Sequence, residues 1–260
     1  MTTLTVTDAV SQHVNDLRGW ARANLAGRVI TVASPKGGVG KTTIAQEVAY
    51  ALDAVAVDLD WNDGNLARAM GWFHEQRVRS PLLDALDTGK TPRPIVGRSR
   101  PDLIAAGPEF GANQPSMTAM QDALRRWAGE LDRLLVVDCH PGDGDAAYGA
   151  IAAADSVLTP TLLGQREMDA LSGWCEKFDG YPLFVVPNQI PPVPPGRLLD
   201  RLTEIVEARG LGVSTPVPRE SWLPRRAART TLLSSRASKR SLKIQTALAA
   251  VAKETGTRVA

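Results

Sequence analysis

The sequence has few cysteines and no long apolar run. Two cysteines, Cys139 and Cys175, occur in 260 residues, and they lack the C-x-x-C spacing of a zinc ribbon or a redox dithiol. No stretch of about 18 consecutive apolar residues indicates a membrane span. The first residues also lack the basic and apolar regions of a signal peptide. These absences favour a protein of the reduced cytoplasm, with no membrane as a partner.

The charge of the chain is small in total and uneven in distribution. The net charge is +2 over the whole sequence, but residues 219–243 contain eight basic residues and one acidic residue. This segment therefore carries +7 and the rest of the chain −5. Such asymmetry indicates an anionic partner. The alternative interpretation is a solvated basic face that only aids solubility.

Seven short apolar runs alternate with helical patterns along the chain. They span residues 28–34, 54–60, 101–107, 133–139, 155–161, 181–187 and 212–218. The runs are nearly continuous, which is typical of parallel strands covered on both faces. The alternation predicts an α/β fold with a doubly wound, mostly parallel sheet and helices on both faces. We expect an N-terminal helical extension over residues 1–27. A single domain with basic C-terminal helices should then cover residues 28–260.

The stretch SPKGGVGKTT, residues 34–43, joins the first predicted strand to a helix. A glycine-rich loop in this context is the signature of a P-loop, whose backbone amides approach phosphate oxygens. Lys41 is predicted to bridge the β- and γ-phosphates, and the Thr42 hydroxyl to bind Mg²⁺. The predicted nucleotide-binding residues of the loop are Gly37, Gly38, Val39, Gly40, Lys41, Thr42 and Thr43.

Asp138 follows four apolar residues in RLLVVDC, residues 133–139. A buried strand that ends in an aspartate delivers a carboxylate beside Mg²⁺, usually through a bound water. Asp138 is therefore predicted to belong to the metal site together with Thr42.

The P-loop has a second lysine, Lys36, and Pro35 stands where the usual pattern has its first glycine. The sequence KGGVGKT resembles the deviant Walker A motif of the ParA, MinD and Soj ATPases, and is most similar to the short ParA-type partition ATPases. The resemblance implies a weak ATPase that uses ATP and Mg²⁺. It also implies that Lys36 reaches across a nucleotide-sandwich homodimer to the partner's phosphates, so that ATP drives dimerisation.

The stretch VDLDWNDGN, residues 57–65, is similar to the second aspartate motif of that family. By this resemblance Asp58 is a metal-site residue, and Asp60 orients or activates the attacking water. The alternative is a pair of solvated loop carboxylates. Trp61, Asn62 and Asp63 depart from the family's Pro-Gln. His140 also stands where the family commonly has a small residue or proline. A loop histidine is the simpler interpretation of it, and a catalytic histidine is the alternative.

Two further stretches resemble the adenine-binding elements of the family. Asn188 follows the sixth apolar run, and Pro218 and Arg219 follow the seventh. By resemblance these residues contact the base. Because asparagine also favours turns, a simple turn before the prolines is the alternative for Asn188.

The resemblance to ParA also assigns a function to the basic segment. The implied protein is a nucleoid-associated partition ATPase for a plasmid or a chromosome. Its ATP dimer binds DNA of any sequence, and a centromere-binding ParB-like protein stimulates it. The expected DNA-binding residues are Arg225, Arg226, Arg229, Arg236, Lys239 and Arg240. The alternative is a MinD-like or other positioning ATPase that acts at a membrane or on a protein assembly.

Overall fold

The seven predicted strands are confirmed, and they form one parallel sheet. The computed structural model describes residues 6–61, 66–73, 80–142, 144–226 and 229–260. Within these ranges the sheet has the order β3-β2-β4-β1-β5-β6-β7, and every strand pair is parallel. The strands are β1 (Val29–Val32), β2 (Val55–Leu59), β3 (Asp102–Ile104), β4 (Leu135–Cys139), β5 (Ser156–Thr161), β6 (Leu183–Pro187) and β7 (Gly212–Val213).

Helices connect the strands and cover both faces of the sheet. In the described ranges they are α1 (Val6–Asn24), α2 (Lys41–Ala51), α3 (Leu66–Ala69), α4 (Pro81–Thr88), α5 (Met117–Leu131), α6 (Asp145–Ala153), α7 (Gln165–Lys177), α8 (Gly196–Glu207) and α9 (Leu242–Val259). Alternate residues of each central strand point to opposite faces, so the sheet separates two apolar layers. One layer holds the buried faces of α4 to α8, and the other those of α1, α2 and α9. No helix in the described ranges combines the length and apolar character needed to span a bilayer.

The N-terminal helix α1 packs into the same layer as α2 and α9. Val14, Leu17 and Ala21 of α1 are buried there. Arg18 and Arg22 both form ion pairs with Asp53, just after α2. The predicted helix is present, and the division into an extension and an ATPase domain stays a prediction.

The basic segment differs from the sequence expectation. The sequence predicts basic C-terminal helices, but the described part of residues 219–243 contains only a 3₁₀ turn, Leu223–Arg225, and the first residues of α9. The rest runs as turns and extended chain. Pro224 and a run of serine and threonine residues disfavour a helix, because these side chains favour turns and caps.

A buried glutamate on α2 anchors this segment. The two carboxylate oxygens of Glu47 accept hydrogen bonds from the backbone N–H groups of Leu232 (2.6 Å) and Leu233 (3.0 Å). Burial raises the pKa of Glu47 to about 7, although these hydrogen bonds and the nearby Arg226 favour the charged form. The Glu47 carboxylate therefore binds a proton more tightly in the folded protein than in the unfolded chain.

We expect this raised pKa to make stability depend on pH. The folded-state pKa of Glu47 lies above its unfolded value of 4.5, so its contribution is fully present below pH 4.5 and is lost as pH rises towards 7. The loss should amount to about 3 kcal/mol, at about 1.4 kcal/mol for each unit of pKa difference. Urea unfolding between pH 5 and 8 measures it. Asp138 and Asp58, whose pKa values burial also raises, add to the same decline. Glu47→Gln should therefore make the decline smaller by the Glu47 contribution, whereas Glu207→Gln, at an exposed position on α8, should leave it unchanged. A decline as large in Glu47→Gln as in wild type would exclude Glu47 as a source.

Candidate nucleotide-binding site

The predicted P-loop lies between the end of β1 and the start of α2, at the carboxyl edge of the sheet. Gly38 and Gly40 have φ angles of 75° and 91°, in the left-handed region that favours glycine. Gly40 precedes the first turn of α2, so the unpaired N–H groups of the helix start face the space above the loop. This arrangement is suited to binding phosphate oxygens.

Asn188 and Gln189, which follow β6, hold the P-loop from the side. Asn188 Nδ2 donates to the Val39 carbonyl oxygen (2.7 Å), and Gln189 Nε2 donates to the Gly38 carbonyl oxygen (3.3 Å). Asn188 Oδ1 accepts from the Gln189 N–H (2.9 Å). A Cβ atom at Gly40 would clash with Asn188 Nδ2, which is a second reason for glycine there. Both polar atoms of the Asn188 side chain therefore form hydrogen bonds within the protein.

The residues predicted to bind adenine line one cavity with the P-loop. This cavity of about 370 Å³ is bounded by Gly40 and Thr43 on one side and by Asn188, Pro218 and Arg219 on the other. The Arg219 N–H donates to the Ile190 carbonyl oxygen (2.9 Å), which fixes the loop after β7 beside the loop after β6. The fold therefore brings the two predicted base-binding loops together, and their contacts with a base stay predictions.

Asp138 is a buried carboxylate at the end of β4 and opposite the P-loop. Neither of its oxygens has a hydrogen-bond partner among the described residues. Burial raises the pKa of Asp138 to about 7, while the nearby Thr42 hydroxyl and Lys41 ammonium favour its charged form. A buried carboxylate without a partner is costly unless a cation or a donor completes it. Thr42 and Asp138 would thus suit a hard divalent cation whose remaining ligands are water and phosphate oxygens.

Asp58 lies beside Asp138 in the sheet register, but its oxygens are already engaged. Asp58 Oδ1 accepts from the Asp60 N–H (3.0 Å), and Oδ2 accepts from the Ala67 N–H (2.8 Å). Burial, with the neighbouring Asp138 charge, raises the pKa of Asp58 well above its usual range. The geometry gives Asp58 a structural task, the shaping of the chain after β2, and its role as a metal ligand stays a prediction.

The two lysines of the P-loop occupy different environments. Lys41 is buried, and its Nζ donates to the Lys36 carbonyl oxygen (3.0 Å). Burial lowers the pKa of Lys41, although the charge of Asp138 opposes this. Lys36 is exposed. Lys41 can therefore meet a phosphate within its own chain, and Lys36 can reach a group outside it.

Asp60 and His140 meet across the ends of β2 and β4. His140 Nδ1 and Asp60 Oδ1 are 2.9 Å apart, and the His140 ring stacks on Trp61 at 4.1 Å between centroids. Sequence reasoning identified Asp60 but treated His140 as an ordinary loop histidine. One sequence feature could have indicated the contact of His140 with Trp61 and Asp60, because Trp61 and His140 both depart from the family pattern. Asn62 and Asp63, the other departures near Asp60, lie outside the described residues.

Four of the six predicted DNA-binding residues form a surface next to this site. Arg225, Arg226 and Arg240 line a cavity of about 470 Å³ together with Trp222, and the Arg240 guanidinium lies 5.0 Å from the Trp222 ring. Arg229 lies with Arg226 at an adjoining cavity, which Arg68 of α3 also lines. Arg68 was not among the predicted residues, because it is distant in sequence.

The remaining two predicted residues lie elsewhere on the segment. Lys239 is exposed. Arg236 forms an ion pair with Asp8 of α1, with Nε 2.8 Å from Oδ1. This pairing offsets the charge of Arg236, so it is less suited than its neighbours to meeting phosphate.

The chain matches known proteins in both sequence and fold. Residues 27–179 match the family model described as an AAA domain. Over 173 residues the chain is 34% identical to the chromosome partitioning protein ParA of Myxococcus xanthus. This match covers 60% of this chain and 58% of that protein. The chain therefore spans less than two thirds of the length of this curated relative.

Two solved structures share the fold. The structure of apo McdA from Cyanothece has a TM-score of 0.69 and 17% identity, and the match covers 87% of this chain and 98% of that one. The septum site-determining protein MinD from Pyrococcus horikoshii, solved with Mg-ADP, has a TM-score of 0.65 and 19% identity. That match covers 88% of this chain and 95% of that one.

Proposed function

We propose that this chain, which belongs to the ParA/MinD family of ATPases and matches its AAA domain, is an ATP-hydrolysing DNA partition protein. The observation that carries the ATPase part is the arrangement at the P-loop. Buried Lys41 lies near Asp138, whose oxygens have no hydrogen-bond partner among the described residues, while Lys36 is exposed. The solved MinD complex with Mg-ADP supports ATP and Mg²⁺ as cofactors.

The residues of one chain have separate tasks in this proposal. The P-loop amides and Lys41 hold the β- and γ-phosphates, and Thr42 and Asp138 hold Mg²⁺. When bound, Mg²⁺ neutralises charge on the β- and γ-phosphates. Asp60 orients the attacking water. Asn188 fixes the shape of the loop through the Val39 carbonyl and closes the base side of the cavity with Pro218 and Arg219.

Lys36 supplies the charge that a single chain lacks. In phosphoryl transfer, negative charge spreads over the γ-phosphate oxygens, and a cation delivered in trans stabilises it. The exposed position of Lys36 suits such delivery to a second copy of this chain. ATP then joins two chains into a homodimer, because each site is complete only when the partner's lysine is present.

The basic surface is the DNA-binding part of the proposal. Arg225, Arg229, Lys239 and Arg240 are exposed, in a segment of net charge +7. Several cations on one surface bind DNA of any sequence by displacing counterions from its phosphates. A dimer presents the surface twice, so ATP strengthens binding without touching DNA. A ParB-like centromere-binding protein and a nucleoid location complete the proposal by analogy with ParA.

A MinD-like positioning ATPase is the second candidate, supported by the fold match to MinD. Membrane-bound amphipathic helices present an apolar face to lipid. The apolar residues of α9, among them Ile244, Leu248 and Val251, are instead buried in the layer with α1 and α2. This packing favours the DNA surface over a lipid-binding α9.

DNA binding to random duplexes at several salt concentrations tests the proposal. Wild type should bind tightly with ATP and weakly with ADP, with a log–log salt slope near −0.9 for each phosphate contacted. Arg225→Glu with Arg240→Glu should weaken binding to all sequences about tenfold or more and flatten the slope. Arg166→Glu with Arg197→Glu is a control of equal charge at exposed positions on α7 and α8.

Two outcomes would contradict the DNA part. One is equal binding with ATP and ADP. The other is an equal loss in the test pair and the control pair, which would show only the effect of net charge. ATP hydrolysis measured on the same samples reports separately on the ATPase part.

A further inference from the structure

Two residues at which this chain departs from its family's nucleotide motifs, Trp61 and His140, contact each other. Trp61 follows Asp60 directly, at the end of β2, and His140 follows β4. They are 79 positions apart in the sequence, yet their rings stack at 4.1 Å with an interplanar angle of 22°. The contact joins the two loops that flank the phosphate site.

The His140 imidazole holds the Asp60 side chain. The Nδ1 atom lies 2.9 Å from Asp60 Oδ1, a hydrogen-bond distance at which an Nδ1–H donates to the carboxylate. Both side chains are partly buried, at 22% and 17% exposure for His140 and Asp60 respectively. A charge-assisted hydrogen bond that is partly screened from water restricts rotation of the carboxylate.

The protein in turn holds the imidazole and the backbone of Asp60. Trp61 packs between His140 and Phe110, whose ring centroid lies 6.1 Å away. Gly111 gives the indole its room, because a Cβ atom there would lie 2.7 Å from the Trp61 ring. Asp58 fixes the Asp60 main chain through its N–H (3.0 Å). Asp60 is thus fixed at the backbone by one residue and at the carboxylate by another.

We propose that His140 is a positioning residue for ATP hydrolysis, which keeps the Asp60 carboxylate in one orientation while Trp61 holds the imidazole. The inference rests on the proposed ATPase function. In that reaction the oxygen of water bonds to the γ-phosphorus, and the bond from the γ-phosphorus to the β–γ bridging oxygen breaks. Asp60 accepts the proton of the water, and ADP and phosphate leave. A misoriented carboxylate slows this step, because catalysis depends on the alignment of the reacting groups.

Steady-state ATP hydrolysis by the full chain tests the inference. His140→Ala should lower kcat about tenfold to a hundredfold and change KM less than about twofold, since misplacement acts on the chemical step. His140→Asn should recover much of the rate, because its amide N–H can replace the Nδ1–H donor. Trp61→Ala should lose part of the rate, and Trp61→Phe, which keeps an aromatic ring beside His140, should lose less of it than Trp61→Ala. His13→Ala on α1 is the control.

A double variant separates positioning from general damage. If His140 acts through Asp60, then Asp60→Asn with His140→Ala should be no slower than Asp60→Asn alone. Additive losses, a raised KM with unchanged kcat, or an asparagine variant no faster than the alanine variant would overturn the inference. So would a His140→Ala enzyme as fast as wild type. Thermal unfolding and ATP affinity of each variant report whether it is folded. If His140→Ala does not fold, His140→Asn and Trp61→Phe still test the inference.

The failure of the proposed function has a different signature. If wild type hydrolyses no ATP with Mg²⁺, with or without DNA, the ATPase proposal and this inference fall together. If wild type is active and the His140 variants match it, only the inference falls.

Discussion

Replacing Lys41 by alanine should abolish useful ATP binding, with the dissociation constant raised at least about a hundredfold, or about 2.8 kcal/mol. The reason lies in its surroundings. Lys41 is buried, so its charge is poorly solvated, and this burial lowers the pKa of its ammonium group. A poorly solvated ammonium gains more from a phosphate than an exposed one does, because less water must be displaced from it.

Calorimetric titration of ATP with Mg²⁺ measures this effect. Lys90→Ala removes an exposed lysine between α4 and β3 and should leave the affinity unchanged. Lys41→Ala also removes the hydrogen bond to the Lys36 carbonyl, so thermal unfolding must show that the variant is folded. An affinity within about threefold of wild type would remove Lys41 from the phosphate site.

Lys36→Ala should have the opposite profile, with ATP still bound and both dimerisation and hydrolysis lost. The side chain is exposed, so its removal leaves the internal contacts of the loop in place. A cation supplied in trans contributes about a thousandfold or more to the rate of phosphoryl transfer. Hydrolysis should fall by about that factor, while the affinity of the single chain for ATP changes only slightly.

Light scattering with ATP and Mg²⁺ provides the assembly measurement. Wild type should double its mass on ATP addition, and Lys36→Ala should remain a single chain. Asp60→Ala gives the contrasting case, since it should form the dimer and hydrolyse slowly. Equal dimerisation by wild type and Lys36→Ala would show that Lys36 does not act across an interface.

The fold was predictable because its pattern is local. Each strand is a continuous apolar run of a few residues, and strands covered on both faces must look this way. The P-loop was equally readable, since its glycines, Lys41 and Thr42 are consecutive. The position of Asp138 followed from four apolar residues before it and from the rule that parallel strands end at one edge.

The contacts between distant segments were not predictable. Glu47 bonds to Leu232 and Leu233, about 185 positions away, and nothing in either stretch indicates the other. Asn188 was assigned to adenine, and its hydrogen bond to the P-loop backbone could not be read from an asparagine after a strand. The basic segment showed a charge pattern, which predicts a partner but not a helix.

The Glu47 anchor also has a mechanical consequence. The first residues of α2 belong to the predicted phosphate site, and about two turns further along the same helix the Glu47 carboxylate holds the chain at Leu232 and Leu233. Sliding this chain against the helix would strand a buried carboxylate and two backbone donors, at about 1–3 kcal/mol for each unsatisfied group. The contact therefore ties α2 to the chain at residues 232–233. A displacement of the helix at the predicted phosphate site would also displace the basic segment, and a displacement of that segment would act on the helix.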